Sequence, residues 1–146
     1  MHRIVNTNSN LTKWNIVQSP ICTLCNDNKI DNIKHALLEC IWTKEKIENI
    51  LNTIDPDRLW TGLINQTSLL FGIEHKSIKH ILLIIKHYIF RVRSGLYRYS
   101  VQNLKIELFL RILSEKKYSR HIEFESKWAL HTALIDESVQ YGLSYD

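Results

Sequence analysis

The chain has 146 residues, of which 45% are apolar and 23% are charged, and its formal net charge is +4. That length fits one ordinary domain and excludes a multidomain enzyme, while the composition excludes long disordered regions. The sequence holds only 4 Gly and 2 Pro, which argues against a turn-rich β fold, and its 3 Cys cannot form a fully paired disulfide framework. We therefore predict an intracellular, mainly α-helical domain with one local cysteine feature.

The first half of the chain is predicted to hold two helices separated by a polar loop. A short helix begins near residues 8–10 and stops at Ser19, because the residue before a proline avoids the helical region. Residues 21–31 are rich in Cys, Asn and Asp and indicate a loop. Asp31 then suits the N-cap of a helix at 32–54.

Residues 57–73 fit two interpretations. Leu59, Trp60 and Leu63 suit a helical turn, whereas residues 67–71 also suit an extended segment.

The second half predicts a small antiparallel bundle over residues 76–139. Apolar residues recur every three or four positions from Ile78 to Leu96, which indicates an amphipathic helix. Ser100 is expected to cap the next helix, and a last helix is expected from His121 to about Gly142. Helices joined by short connections pack as antiparallel neighbours.

The three cysteines and one histidine have the spacing of a metal site, Cys22-x2-Cys25-x9-His35-x4-Cys40. Zinc takes four thiolate or imidazole ligands tetrahedrally, and three Cys with one His is a common structural set. Because all four positions are filled by protein, we predict a structural zinc ion and not a catalytic one. Two alternatives are small buried apolar cysteines and a redox dithiol, although no βαβ pattern surrounds the Cys22–Cys25 pair.

The spacing also places a constraint on the local helix. His35 and Cys40 are five residues apart, which is about 140° around a regular α-helix, so both cannot face one ion. We predict that His35 lies in the first turn and that the helix is distorted or overwound before Cys40. Three thiolates around Zn²⁺ leave a formal charge of −1, which Lys29 and Lys34 are expected to offset in part.

The modest net charge hides a basic middle of the chain. Residues 74–120 hold 11 Lys/Arg against 3 Asp/Glu, whereas residues 1–73 are neutral and residues 121–146 carry a net −4. Such asymmetry favours an anionic partner, RNA or DNA, although a solvated helix face is the plain alternative. The predicted phosphate contacts are Lys79, Lys86, Arg91, Arg93, Arg98, Lys105 and Arg111.

Motifs for catalysis and for membrane insertion are not found in the sequence. There is no glycine-rich phosphate loop, no G-x-S-x-G and no H-E-x-x-H, so we expect no enzyme activity from this chain by itself. The longest apolar run, residues 81–85, is too short for a membrane span, and no secretory signal precedes it.

Several stretches closely resemble one family, the zinc-binding domain at the C-terminal end of non-LTR retrotransposon reverse transcriptases. Those proteins carry a C-x2-C pair, a short polar loop and an E-H-L-F-x-x-C-like ending. The matching stretches of this chain are HRIVNTNSNL at 2–11, WNIVQSP at 14–20, CTLC at 22–25, HALLEC at 35–40 and Trp42. Weaker likenesses to the tail of such elements are LLFG at 69–72, YIFRVR at 88–93 and LFL at 108–110.

The resemblance implies two parts, a CCHC zinc-binding module at 1–55 and a basic helical tail at 56–146 that packs on it. The family's polymerase signature is missing here, so the chain is expected to be a C-terminal piece or a decayed remnant of a longer element. Its partners would be element RNA or target DNA and the polymerase core of the parent protein, with no membrane involved, and its location would be nuclear.

Two functions remain open at this stage. The first is a zinc-stabilised accessory module that binds nucleic acid through the basic helices. The second is a structural or protein-interaction module that docks on the polymerase without contacting nucleic acid. The two differ in whether the basic residues share one exposed face or are divided and covered.

Overall fold

A computed structural model describes residues 7–144, so the first five residues of the stretch 2–11 lie outside the described part. The α-helices are α1 (Asn8–Lys13), α2 (Ile41–Ile54), α3 (Gln66–Phe71), α4 (Lys76–Arg93), α5 (Val101–Tyr118), α6 (His121–Trp128) and α7 (Thr132–Leu143). A π-helical turn spans His35–Glu39, and a 3₁₀ turn spans Thr61–Leu63. Residues 7–144 contain no strand, only one antiparallel bridge between Ile21 and Ile30. The prediction of a mainly α fold is confirmed.

The first helix is shorter than predicted. α1 ends at Lys13, and Asn15 then adopts a left-handed conformation with φ of 57°, which a helix cannot continue through. Asparagine tolerates this conformation better than most residues. The helix therefore ends well before Pro20, and Trp14 and Ile16, which follow it, are exposed.

The helix predicted at 32–54 is divided into two elements. Asn32, not Asp31, caps its start, since the Asn32 side chain accepts a hydrogen bond of 2.8 Å from the backbone N–H of His35. After the π turn, Cys40 takes an extended backbone conformation (φ −67°, ψ 117°), and α2 begins at the next residue. The distortion predicted before Cys40 is confirmed.

Residues 66–71 are helical and not extended. Asn65 and Ser68 form a capping box, in which the Asn65 side chain accepts from the Ser68 N–H and the Ser68 hydroxyl accepts from the Asn65 N–H, each at 2.8 Å. This reciprocal pair satisfies two otherwise free donors and starts α3.

The helices α4 and α5 form an antiparallel hairpin. Ser100 caps α5 as predicted, because its side chain accepts from the N–H of Asn103 at 3.2 Å. The end of α4 lies beside the start of α5, where the Tyr88 hydroxyl accepts from the Ser100 N–H at 2.7 Å. Gly95, with φ of 78°, lies in the connection between the two helices, where a positive φ favours glycine.

The last predicted helix is broken in two at residues 129–131. Trp128 is fully buried, and its indole N–H donates to Glu115 on α5 at 2.7 Å. His131 turns inward as well, with Nε2 3.0 Å from the carbonyl oxygen of Ser77 on α4. α6 ends at Trp128 and α7 begins at Thr132, so the single predicted helix is two helices in the structure.

One hydrophobic core joins the helices. α7 packs on α5, α6 packs on α4, and α2 packs on both α4 and α5. α2 contributes Ile47, Ile50 and Ile54 to the same core as the bundle, so the helix that the sequence assigned to the 1–55 module also belongs to the bundle. The fully buried core side chains include Trp60, Ile78, Ile81, Ile85, Ile89, Leu104, Leu108, Ile112 and Trp128.

The helices within residues 7–144 are unlike membrane spans. None of them combines the length and the apolar character that a membrane span requires.

Candidate metal centre

A tight loop aims the first two cysteines at one point. The backbone N–H of Cys22 donates to the carbonyl of Lys29 at 2.9 Å, and the N–H of Asp31 donates to the carbonyl of Pro20 at 2.8 Å. These two bonds close the loop at its base, and Asn28 turns the chain back with φ of 51°. Cys22 and Cys25 are buried inside the loop although the residues between them are exposed.

The π turn brings the other two predicted ligands, His35 and Cys40, to one side of the chain. The backbone N–H of Cys40 donates to the carbonyl of His35 at 2.8 Å, a bond that spans five residues. A turn closed by such a bond is wider than an α-helical turn and brings residue i+5 back above residue i. His35 and Cys40 therefore face the same side. The turn is underwound and not overwound, which corrects that part of the prediction.

The four predicted ligands come together. The ligand atoms of Cys22, Cys25, His35 and Cys40 all lie within 4.8 Å of one another. The Cys22 and Cys40 sulfurs are 3.9 Å apart, and the Cys25 sulfur is 3.3 Å from Nε2 of His35. A tetrahedral ion with metal–sulfur bonds of about 2.3 Å and metal–nitrogen bonds of about 2.0 Å requires about 3.8 Å between sulfurs and about 3.5 Å between sulfur and nitrogen. The donor set thus fits a four-coordinate metal ion.

The four side chains have no other evident role. All four are buried, and the cysteines form a small cluster separate from the main core, with Trp42 against it. All three thiols are free, and no disulfide links them. A group of buried thiols beside an imidazole, outside the hydrophobic core, is what a closed metal site requires and what core packing does not.

The outer nitrogen of the imidazole has a carboxylate nearby but no hydrogen bond. His35 points Nε2 at the thiols, and its buried Nδ1 lies 3.6 Å from an oxygen of Glu39, which is beyond hydrogen-bond distance. A carboxylate on the far nitrogen is a common partner of metal-binding histidines, and Glu39 is the residue placed closest to that role. Lys34, expected near the ligands as a counter-charge, instead lies 3.5 Å from Glu39 and is exposed.

The positive charge next to the sulfurs comes from α4. One guanidinium nitrogen of Arg93 (Nη1) is 3.4 Å from the Cys40 sulfur, and the other (Nη2) is 3.7 Å from the Cys22 sulfur. Arg93 also donates to Asp31 Oδ1 at 2.5 Å and to the Thr43 hydroxyl at 2.7 Å. The Arg93 side chain is 6% exposed and that of Asp31 is 8% exposed. This ion pair therefore joins the end of α4 to the metal-binding loop.

The thiols differ in acidity. Burial alone raises the pKa of Cys40, but hydrogen bonds from the Thr43 N–H and from Arg93, together with the charge of Arg93, outweigh burial and hold the pKa below its usual value. The Asp27 N–H lowers the pKa of Cys25, yet burial and the nearby sulfurs of Cys22 and Cys40 raise it further. Crowded sulfurs disfavour a second thiolate, and a divalent cation among them reverses that effect.

The predicted phosphate contacts are not all exposed. Lys79, Arg98 and Arg111 are exposed, and no ion pair involves them within residues 7–144. Arg93 is buried against the cysteines, so we remove it from the predicted set, because a guanidinium enclosed by four partners has little surface left for phosphate.

The other three members are partly buried and already have partners. Burial lowers the pKa of Lys86. Lys86 lies 3.5 Å from the carbonyl oxygen of Leu70. Arg91 lies 3.0 Å from a carboxylate oxygen of Glu107. Lys105 lies 2.5 Å from a carboxylate oxygen of Glu137.

Sequence reasoning missed Arg93 and Asp31 as parts of the metal centre. One pattern in the sequence does indicate the arginine, since Arg93 follows Ile85 and Ile89 at four-residue steps on the buried face of α4. A charged residue on an apolar face needs a buried partner. Asp31 offered no such indication, because an acidic residue before a helix is usually a cap.

Comparison with known proteins adds no family to these observations: no family model, no curated protein and no solved structure matches the chain.

Proposed function

We propose that the chain is a zinc-binding accessory module in which a structural zinc ion holds the N-terminal loop region on the helical bundle. The observation that carries this proposal is the convergence of four buried donors at tetrahedral spacing. Three thiolates with one imidazole favour zinc over the oxygen-seeking cations, and a donor set complete within the protein leaves no position for water or substrate.

The resemblance to non-LTR retrotransposon reverse transcriptases extends this proposal to a parent protein. The chain would then serve as a C-terminal accessory region that acts in the nucleus without polymerase activity of its own. The division of the basic residues favours docking on the polymerase core over nucleic-acid contact as its main role, because three of the seven have partners and a fourth is buried in the metal centre.

Exposed apolar side chains support a docking role. Apolar groups in water favour burial against a partner when they lie together. A groove between α2 and the segment at 61–71 is lined by Leu37, Ile47, Leu51 and Leu69, with Lys44, Glu48 and Arg58 also along it. The large apolar residues around the metal loop that are at least a third exposed are Trp14, Ile16, Leu24, Ile30, Ile33 and Ile41.

A second candidate function, nucleic-acid binding, rests on Lys79, Arg98 and Arg111. These residues are exposed, and their charges are not compensated by an ion pair in the described part of the chain. If all three contact duplex phosphates, log K falls with log salt at a slope of about −3, which is shallower than the slope of about −5 expected for six contacts.

Metal analysis of the purified protein tests the main proposal. We expect about one zinc per chain, the value for a single four-coordinate structural site. Cys25→Ala and His35→Ala should each remove the metal, whereas Lys34→Ala, a change in the same segment outside the donor set, should retain it. Full zinc content in both ligand variants would refute the assignment.

Binding across a salt series separates the two functions. The probes are an unstructured RNA and a duplex DNA, each titrated with the wild type and with Lys79→Ala/Arg98→Ala/Arg111→Ala. The matched control, Lys13→Ala/Lys116→Ala/Lys117→Ala, removes the same charge from other exposed positions. Nucleic-acid contact is supported if the first variant loses binding and the salt slope while the control variant keeps both. No measurable binding by the wild type would exclude nucleic-acid contact as the function.

A further inference from the structure

Arg93 connects two parts of the chain that are distant in sequence. It is the last residue of α4, and its guanidinium reaches the sulfurs of Cys22 and Cys40, 71 and 53 residues earlier. The same group binds Asp31 and Thr43. All four contacts lie on elements that carry metal ligands or directly follow one, so Arg93 fastens the end of α4 to the metal-binding region, whereas Tyr88 and Arg91 join it to α5.

The strength of these contacts depends on the state of the sulfurs. A neutral thiol is a weak acceptor, whereas a metal-bound thiolate carries negative charge and accepts a charge-assisted hydrogen bond. Three thiolates around Zn²⁺ give a net charge of −1, and Arg93 supplies one positive charge at hydrogen-bond distance from two of them. Metal binding therefore strengthens the attachment of α4, and the attachment in turn stabilises the bound metal, since such coupling is reciprocal.

We propose that Arg93 is an outer-sphere part of the zinc centre that couples metal binding to the docking of the end of α4 on the metal loop. This inference rests on the proposed zinc function and adds a positioning residue to it. Asp31 holds the guanidinium in place, since its Oδ1 accepts from Arg93 and its Oδ2 accepts from the N–H of Asn8 at 2.9 Å.

The plain alternative is an ordinary buried ion pair between Arg93 and Asp31 that is indifferent to the metal. Such a pair holds α4 through Asp31 alone, so a lysine that keeps the charge would preserve it and leave zinc release nearly unchanged. Coupling through the sulfurs needs the two-armed guanidinium, so it predicts faster zinc release from Arg93→Lys as well as from Arg93→Met. The two interpretations therefore differ in the zinc release rate of Arg93→Lys.

The test compares Arg93→Met with Arg91→Met. Both variants lose one ion-paired arginine near the end of α4, but Arg91 pairs with Glu107 on α5 and makes no contact with a cysteine. The first measurement is the rate of zinc transfer to a chelator. We expect Arg93→Met to release zinc 10- to 100-fold faster, the usual effect of removing a residue that supports metal ligands, and Arg91→Met to behave as the wild type.

The second measurement is hydrogen exchange at residues 90–95. In the wild type these amides should be protected with zinc and lose protection on chelation, whereas in Arg93→Met they should exchange fast in both states. Arg93→Lys keeps the charge but not the two-armed geometry, so its exchange rates should lie between those of the wild type and of Arg93→Met. This variant also serves if Arg93→Met does not fold.

The outcomes separate this inference from the function on which it rests. A wild type that binds no zinc overturns both. Stoichiometric zinc in the wild type, with unchanged release from Arg93→Met and Arg93→Lys, overturns the coupling alone. The coupling is also overturned if hydrogen exchange at residues 90–95 of the wild type does not change on chelation.

Discussion

The metal-binding loop and the helical bundle are ordered by different means. Between residues 20 and 40 the buried side chains are mostly the four ligands with Asp31, Ala36 and Leu37, and the chain runs through turns. The bundle buries a continuous set of Ile, Leu and aromatic side chains from α2 and α4–α7. A segment with so little apolar surface to bury cannot offset its conformational entropy by the hydrophobic effect, so we expect it to need a metal and an ion pair. We expect no such need in the bundle, because its buried apolar surface is large.

Removal of the metal should produce the largest difference between the two regions. Structural zinc contributes roughly 10–16 kcal/mol in finger peptides, and the loop has little else to hold it. We expect chelation to abolish hydrogen-exchange protection at residues 20–40 while most of the helical circular dichroism remains. Simultaneous unfolding of both regions would show that the bundle also depends on the metal.

Removal of a core side chain from the bundle should lower stability without releasing the metal. Leu108 is fully buried in α5, so Leu108→Ala should lower the free energy of unfolding by roughly 2–5 kcal/mol while zinc content stays unchanged. Leu83→Ala is the matched control, because Leu83 is 54% exposed, and its effect should be within about 0.5 kcal/mol. Denaturant titration and metal analysis of the two variants measure both effects, and loss of zinc in Leu108→Ala would contradict the independence of the regions.

Mild acid should weaken the bundle through His80. Burial, with Lys127 adding to it, lowers the pKa of His80 from 6.5 to about 4, and its ring packs edge-on against Trp128 at 4.2 Å between centroids. The other groups that face it electrostatically are Glu115, Arg111 and His131. Because the unfolded chain takes up the proton first, stability is lost as the pH falls from about 6.5 toward 4.

The pH effect is isolated by a pair of variants. Denaturant titrations at pH 7 and pH 5 should show a smaller pH dependence for His80→Gln than for the wild type. Lys79→Gln, a change at an exposed position on the same helix, should retain the wild-type dependence. Any acid effect on the metal ligands is common to all three proteins and cancels in the comparison. Equal pH dependence in all three would exclude His80 as the cause.

The smallest expected effect concerns the cap of α5. Ser100→Ala removes the hydrogen bond to the Asn103 N–H and should cost about 1 kcal/mol, with no effect on zinc. The bonds between the Ser100 backbone and Tyr88 persist, so the hairpin itself should remain. Ser114→Ala, within the same helix, controls for the change of residue type. Thermal denaturation compares the two, and an equal loss in both would argue against capping.

Most of the local structure follows from short-range patterns in the sequence. Apolar periodicity predicted α4 and α5, and the Ser100 cap was found from its residue type alone. The start of the helix near residue 32 was predicted with the wrong cap, because both Asp31 and Asn32 have capping side chains and only one can serve. Residues 66–71 remained ambiguous until the Asn65–Ser68 capping box was visible, because a single apolar run suits either helix or strand.

The sequence by itself identified the four side chains that come together, because four donors at fixed spacing within nineteen residues are a local constraint. It also determined that a regular helix could not present His35 and Cys40 together. Only the tertiary structure decided how that conflict is resolved, by a π turn, and where the charges lie. Arg93 and Arg91 stand two positions apart on one helix, yet one is enclosed by thiols and Asp31 while the other pairs with Glu107. The partner of a long cationic side chain is set by the helix that packs opposite it, and that packing is a property of the whole fold.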